Sequence, residues 1–467
     1  MNEDPNNDRT DDTHAGHGPR LRLTPNERLA ITITFFSMFF GASNLIFPPL
    51  LGAEAGRGSI TAGFGFICSA VGLPILAVVA VARAGGFNQL AGRVSHGFAV
   101  VLGTAIILTI GPLFAIPRTA ATSFEMAVAP LTPSTPHWAT QLAYSLVFFA
   151  LSYLLSQHPE RLAHTIGRFM APLLLVMIAT LVAVCLFTAH PTFTSPMAAY
   201  ADGGFITGFI EGYQTMDLLA GIYFGIVIAA NIAGFGVRDE HHRRHEVTRA
   251  GIGTGVMLAV IYAALTYVGM VSGSLTRINP LTDTGAEVLT NLTSRLFGWF
   301  GTAFVGLIFM IACFNVCTGL IATCASYFEE QFPRVFGRPM SYRTWSILFA
   351  LCGLVIANAG LNAIITMSVP VLSALYPITI ILVVFGLFHR VIGRYAPRAY
   401  GWTVLLVGVF AAAQCVVALL AVLGVALPPA QSLFAALPLA DQQLTWLIPA
   451  ALGLVIGVAD SLRLRRR

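Results

Sequence analysis

Apolar runs of about twenty residues recur from Leu29 to Asp460, separated by short polar segments. At 1.5 Å per residue each run can cross a hydrocarbon core of roughly 30 Å. The pattern predicts twelve spans. In the first half they lie at 29–52, 61–82, 98–117, 138–157, 166–189 and 205–234. In the second half they lie at 248–273, 297–328, 344–359, 363–389, 401–426 and 443–461. Residues 1–28 break the pattern: Asp4, Asp8, Asp11 and Asp12 are mixed there with Asn, His and Gly, so the segment cannot bury enough apolar surface to fold and reads as a disordered cytosolic tail. No short apolar region with a small-residue cleavage site precedes the first full-length run, so a cleaved signal peptide is not expected.

Composition agrees with solvation by lipid. Of 467 residues 56% are hydrophobic and 10% charged, and the mean hydropathy is +0.77. Soluble domains carry about 25% charged residues. Every one of the 26 basic residues is Arg, and 22 of them fall on one side if the N-terminus is inside. Only Arg57, Arg118, Arg277 and Arg295 then lie outside. The positive-inside bias therefore places both termini in the cytosol, in a multi-pass protein of the cytoplasmic (inner) membrane. The net charge of +5 follows from that topology and implies no nucleic-acid binding and no obligate protein partner. The basic end, 462–467, is expected against anionic headgroups of the bilayer. All seven cysteines fall inside spans, where Cys313, Cys317 and Cys324 read as packing residues on one face of the eighth span. The stretch from Asp239 to His245 alternates charges and reads as a solvated cytosolic loop.

In lipid every backbone donor and acceptor needs a partner, so a helix is interrupted only where the freed groups bind something or face a cavity. Two spans carry that mark. The first reads Phe39-Phe-Gly-Ala-Ser-Asn-Leu-Ile-Phe-Pro-Pro49, where Gly41 and Ser43 loosen the chain and Pro48 and Pro49 remove two N–H donors. The sixth, from Gly208 to Gly221, contains Glu211, Gln214, Thr215 and Asp217, acids that cost at least about 2.5 kcal/mol each at the bilayer centre. Leu29 to Gly41 and Phe205 to Asp217 are both twelve steps, so each break is predicted about 18 Å deep, approached from opposite faces. That is the mark of an inverted repeat. The expected architecture is all-α: a first five-helix repeat at 29–189, an inverted one at 205–389, discontinuous helices 1 and 6, and two appended helices at 401–461. Half-helix N-termini suit a carboxylate and half-helix C-termini suit an ammonium or a cation, so an amino acid zwitterion with a metal cation satisfies both. Pro74, Pro112, Pro117, Pro370 and Pro377 read as packing kinks.

Four motifs in order, Gly41-Ala-Ser-Asn-Leu-Ile-Phe-Pro-Pro49, Gly111 to Ala120 with Ser123-Phe-Glu125, Tyr213 to Asp217 with Phe224 to Ile228, and Ser368 to Pro377, resemble the bacterial branched-chain amino acid:cation symporter family. The resemblance covers about residues 29–460. It implies uptake of leucine, isoleucine and valine with sodium as coupling ion and no other cofactor, on a core similar to the five-plus-five inverted-repeat transporters. First-helix sodium transporters of that wider fold carry a similar Gly-x-Gly-Asn pattern before Phe-Pro; here the second Gly is Ser43 and the Asn-to-Phe spacing is one residue shorter. Carried over residue by residue, the resemblance implies that the backbone at Gly41, Ala42 and Ser43 holds the substrate; Asp217 and Gly221 on the sixth span, and Phe224 with Phe114 as walls of an apolar side-chain pocket or as packing aromatics, are further substrate-binding candidates. Its implied sodium ligands are the Phe40 carbonyl with Asn44, Thr215 and Thr318, all oxygen donors that a hard cation wants.

Asp217 is expected to pair with the substrate ammonium or with the coupling cation, since a buried carboxylate needs such a partner. Arg118 and Glu125 stand seven residues apart near the outer end of the third span, as gate residues or with Arg118 snorkelling to the interface. Glu211 lines an entry path or a hydrated vestibule. Asn315, Thr318 and Thr323 supply either a cation site or interhelical hydrogen bonds. An aliphatic pocket separates one methylene by only about 10-fold to 200-fold, so the three branched-chain substrates should compete. No nucleophile or metal-ligand motif of known spacing falls within the spans, which disfavours a membrane enzyme, and the breaks favour an occludable site over a channel. A proton-coupled symporter of these or other small apolar amino acids is the alternative.

Overall fold

The computed structural model describes residues 22–132, 134–157, 159–188, 194–237, 239–276, 278–279 and 283–465. The expected tail up to residue 21, Arg277 and the last two residues of the basic end lie outside the described residues. The described chain is almost wholly helical. Its first part is α1 (Pro25–Phe39), α2 (Ala42–Ala55), α3 (Ser59–Ile67), α4 (Leu73–Ala84), α5 (Phe87–Ala91), α6 (His96–Leu108), α7 (Ala115–Ala127), α8 (His137–Ser156) and α9 (Pro159–Thr188). There follow α10 (Ala198–Ala201), α11 (Gly204–Glu211), α12 (Asp217–Gly234), α13 (Glu240–Leu275), α14 (Gly285–Gln331), α15 (Tyr342–Ala357) and α16 (Leu361–Leu387). Last come α17 (His389–Tyr395), α18 (Ala399–Val422), α19 (Pro428–Ala435) and α20 (Leu447–Arg465). A two-residue antiparallel ladder joins α14 to α15. Among the described residues nine helical stretches are long and apolar enough to cross a membrane, and Leu175–Phe187 and Tyr342–Ala357 are shorter apolar helices. Large apolar side chains such as Val355, Phe300 and Val409 point outward around the bundle, the surface a bilayer covers.

Both predicted breaks are present, with local causes. α1 starts on a capping box in which Thr24 and Glu27 satisfy each other's backbone N–H, with Pro25 at the first helical position. It stops at Phe40, whose N–H donates to the Phe36 carbonyl at 2.9 Å, and Gly41 is fully extended before α2 begins. Pro48 and Pro49, expected to disrupt the first span, instead lie inside the continuous helix α2. Their missing N–H groups leave the carbonyls of Asn44 and Leu45 without helical donors, and the helix tolerates this because its flanking turns are packed on all sides. The sixth span ends its outer piece, α11, in one 3-10 turn over Gly212–Thr215, and Met216 then takes a left-handed backbone (φ 62°) from which α12 starts afresh.

Each half-helix that follows a break is pressed onto another helix through glycine. α2 packs on α13, where a Cβ on Gly269 would stand 1.9 Å from the Pro49 carbonyl oxygen and one on Gly52 2.0 Å from that of Thr266. α12 packs on α4, with Gly221 and Gly225 against the Pro74 and Val78 carbonyls. Small residues let backbones approach where lipid supplies no hydrophobic drive for association. The third span differs most from expectation. Predicted to end at 117, its helix runs on to Ala127 after a π-helical turn over Thr109–Leu113 in which Gly111 leaves the helical range and Pro112 sits. Pro74 likewise follows a π-helical turn, Cys68–Gly72, which absorbs its missing donor. Pro370 and Pro377 stay within the helix α16. The stretch expected as a loop at 239–245 is the first two turns of α13, capped by Asp239, whose carboxylate accepts from the His242 N–H at 2.9 Å.

Candidate functional site

The two breaks meet. Asn44, on the first turn of α2, donates from Nδ2 to the Phe39 carbonyl at 2.6 Å and reaches Oδ1 of Asp217, on the first turn of α12, at 3.5 Å. Tyr262 of α13 donates its hydroxyl to the other carboxylate oxygen, Oδ2, at 3.2 Å. Asp217 N–H donates to Thr215 Oγ1 at 3.4 Å, and that hydroxyl donates to the Gly212 carbonyl at 2.9 Å. All four residues are buried, Asn44 to 1% exposure and Tyr262 completely. The carboxylate therefore sits at the positive end of one half-helix and beside the carbonyl end of another, tied to two segments remote in sequence.

Around that centre the sequence-predicted residues divide. Gly41 presents free space bounded by Val316 of α14, 3.6 Å from where a Cβ would lie, while Ala42 and Ser43 are buried on the first turn of α2. No hydrogen bond reaches the Phe40 carbonyl among the described residues. Phe224 joins the two broken spans through an edge contact with Phe39, ring centroids 5.2 Å apart. Phe114 is buried at the break of the third span. Thr318 is buried and its hydroxyl donates to its own helix, at the Phe314 carbonyl. The smallness of Gly221 serves the contact with α4, where a Cβ would come within 3.0 Å of the Pro74 oxygen.

Arg118 does not snorkel. It is 1% exposed, donates from one terminal nitrogen to the Gln214 carbonyl at 2.9 Å, and holds its guanidinium 5.3 Å from the Phe47 ring centroid. Among the described residues its other terminal nitrogen and Nε have no hydrogen-bond partner, and Asp217 is near enough to act on it electrostatically. Glu125 is not its partner: that carboxylate faces His137 at 3.4 Å. Glu211 interacts electrostatically with Glu54 and Tyr200. Thr323 is exposed and bonded to its own helix, away from this cluster. Cys313, Cys317 and Cys324 are fully buried and free, packed between helices.

Sequence reasoning passed over Tyr262, Ser368 and Tyr376. Ser368 of α16 donates to Gln214 Oε1 at 3.2 Å, and Tyr376 stacks on Tyr213 with centroids 4.0 Å apart. The available signal was a tyrosine at mid-span depth, since a buried phenol usually has a partner. Chemically the cluster offers an anion, an amide oxygen and hydroxyls to a cation, and the open end of a half-helix to a carboxylate.

A family model described as branched-chain amino acid transport protein matches residues 25–462. The chain is 36% identical over 431 residues to the branched-chain amino acid transport system 2 carrier protein of Pseudomonas aeruginosa, covering 92% of this chain and 95% of that one. It is 35% identical over 442 residues to the branched-chain amino acid permease BrnQ of Escherichia coli strain K12, covering 94% and 96% respectively. Among solved structures the inward-facing conformation of Mhp1 superposes with a TM-score of 0.57 at 14% identity, covering 96% of this chain and 95% of that one. That likeness shows a shared fold.

Proposed function

The chain belongs to the branched-chain amino acid transport protein family, as a multi-pass membrane transporter and not an enzyme, and on that premise we propose that it takes up leucine, isoleucine and valine by sodium-coupled symport. The observation that carries the site is the meeting of Asn44 and Asp217 across the two broken helices. The free N–H groups at the start of α2, around Gly41, Ala42 and Ser43, receive the substrate carboxylate. Its ammonium turns to Asp217 and to the carbonyls left at the end of α1. The aliphatic side chain lies toward Phe224 and Phe114. Sodium takes oxygens from Asn44, Asp217 and Thr215 and from the Phe40 carbonyl, with Thr318 as a further ligand approached from α14.

The matched packing of the two half-helices that follow the breaks, α2 on α13 and α12 on α4, supports the reading of an inverted repeat of five plus five helices. Alternating access then rocks one set against the other about the fixed site, with Glu211 on the outer approach and Arg118 buried at the turn that ends α11. The arginine-rich end of the bundle is cytosolic in this reading, with both termini inside the inner membrane.

The test is leucine uptake into proteoliposomes with a sodium gradient imposed or removed at fixed pH. Accumulation that appears with the sodium gradient and collapses without it is the expected result. Accumulation driven by a proton gradient in sodium-free medium would move the reading to proton-coupled symport. Absence of leucine uptake under either gradient would overturn it.

A further inference from the structure

A cavity at the arginine-rich end is lined by none of the residues of the central site. It measures about 410 Å³ and is lined from four directions: Arg83 at the end of α4, Arg93 in the turn before α6, Arg244 and His245 on α13, and His389 and Arg390 just past α16. Volumes of roughly 300 to 1,000 Å³ are those of small-molecule sites. None of its ten lining residues is acidic. Two acids stand beside the lining at the start of α13: Glu240, which pairs with Arg244, and Asp239, whose carboxylate lies within 4.8 Å of a ring nitrogen of His241. His241, Arg244, His245 and Thr248 follow at helical spacing, so one stripe of α13 faces the cavity.

The positive-inside bias explains arginines in these loops, but it does not require arginines from separate segments to converge on one cleft. Like charges brought within a Debye length, about 8 Å at physiological salt, repel unless an anion lies among them. Three local facts show an unfinished set of partners. Arg244 Nε is buried without a hydrogen-bond acceptor. Arg93 and His389 both turn to one neutral hydroxyl, that of Tyr400, at 3.4 and 3.1 Å, and that hydroxyl is already donated to the Phe385 carbonyl. Partial burial and then the Arg93 charge hold the His389 imidazole below its ordinary value, as a locally positive potential would.

We propose that this cleft is a binding site for a phosphate-bearing anion, which clamps α13 to the ends of α4 and α16 through Arg83, Arg93, Arg244 and Arg390. Guanidinium groups match phosphate oxygens in paired hydrogen bonds. Such a clamp acts on the transport cycle because α13 carries Tyr262 at the central site and is tied to α1 by Glu246, which accepts from Arg28 at 3.0 and 3.2 Å. Free phosphate compounds and anionic lipid headgroups share this chemistry.

The test uses the full chain in phosphatidylcholine nanodiscs and follows thermal unfolding. Inorganic phosphate is compared with chloride at equal ionic strength, and nanodiscs containing phosphatidylglycerol with those lacking it. A rise in melting temperature of about 2 °C or more with phosphate in phosphatidylcholine supports a soluble ligand. The same rise only with phosphatidylglycerol supports a headgroup. Either rise should vanish in an Arg83→Gln/Arg390→Gln double variant. Thr248→Glu, which puts a carboxylate into the cleft and leaves every arginine in place, should abolish it as well and guards against misfolding of the double variant. No rise in the wild-type protein with either probe, or an equal rise in Thr248→Glu, would overturn the proposal.

Discussion

Replacing Tyr262 by Phe isolates one contribution to the central site. The ring is kept, with its edge contact to Phe66 at 5.5 Å, and nothing is lost but the hydroxyl that reaches Asp217 Oδ2 at 3.2 Å. Hydrogen bonds to charged groups are worth about 1.5–3 kcal/mol, and at 3.2 Å this one is longer than the usual 2.7–2.8 Å for an O–H donor, which puts it at or below the low end. That bond is made with or without sodium, so what ion binding loses is its orienting effect, an ordering cost of about 0.5–1.5 kcal/mol. Since 1.4 kcal/mol is tenfold, half-saturating sodium for leucine uptake should rise by up to roughly tenfold. The assay is initial leucine uptake into proteoliposomes against external sodium, with thermal unfolding as a control on integrity. A sodium dependence within about twofold of wild type, in a variant of unchanged melting temperature, would refute the assignment of Asp217 as a cation ligand oriented by Tyr262.

Asp217→Asn keeps the size of the side chain but removes the charge, so coupled uptake should disappear while the protein still reaches the membrane, as checked by uptake and by immunoblot of membranes. Gly269→Ala drives a methyl against the Pro49 carbonyl and should cost about 1–3 kcal/mol of stability, whereas Gly319→Ala, with nothing within 4 Å, should be neutral in the same melting assay. Met216 is left-handed at φ 62° and buried, so Ile, which keeps the apolar volume but resists that backbone, should cost at least about 1–2 kcal/mol in the melting assay and lower uptake. An excess of unlabelled valine or isoleucine should suppress labelled leucine uptake; indifference to both would argue against a shared aliphatic pocket.

How much of this was legible depends on which force wrote the signal. The breaks at Gly41 and Met216 could be placed to within a few residues because lipid cannot satisfy a freed backbone group, so small or polar residues at mid-depth stand out against an apolar background. The role given to Pro48 and Pro49 was misplaced for the same reason: proline marks a missing donor, but whether the helix breaks there depends on neighbours that the local sequence does not show. Hydropathy also ended the third span ten residues early. Thr119 and Ser123 read as polar, yet their hydroxyls donate to the Ile116 and Thr119 carbonyls of their own helix at 2.6 and 2.7 Å, so the helix carries them into the bundle at little cost. The charged stretch before the seventh span looked like a loop because its composition is polar, although Asp239 at a capping position and the spacing of His241, Arg244, His245 and Thr248 both belong to a helix.

Pairings between spans were the least visible, and the central site consists of them. Tyr262 carries only the general signal of a phenol at mid-span depth; its role arises because α13 crosses α2 at glycines on both sides, which brings the phenol to a carboxylate 45 residues away. Arg118 makes the same point with the sign of the charge. Counted as one of four exceptions to the inside bias, it proved to be fully buried beside Gln214, and its two unpartnered nitrogens lie in the electrostatic reach of Asp217. A buried cation near Asp217, the acid proposed to receive the coupling ion, would weaken binding of sodium there by repulsion. Its single hydrogen bond to the Gln214 carbonyl instead anchors it to the 3-10 turn that ends α11, so movement of that turn is the natural means by which Arg118 approaches or leaves Asp217. If so, Arg118→Gln should lower the sodium concentration needed for half-maximal uptake while slowing turnover, and a variant that weakens sodium dependence instead would place Arg118 in a static, purely packing role.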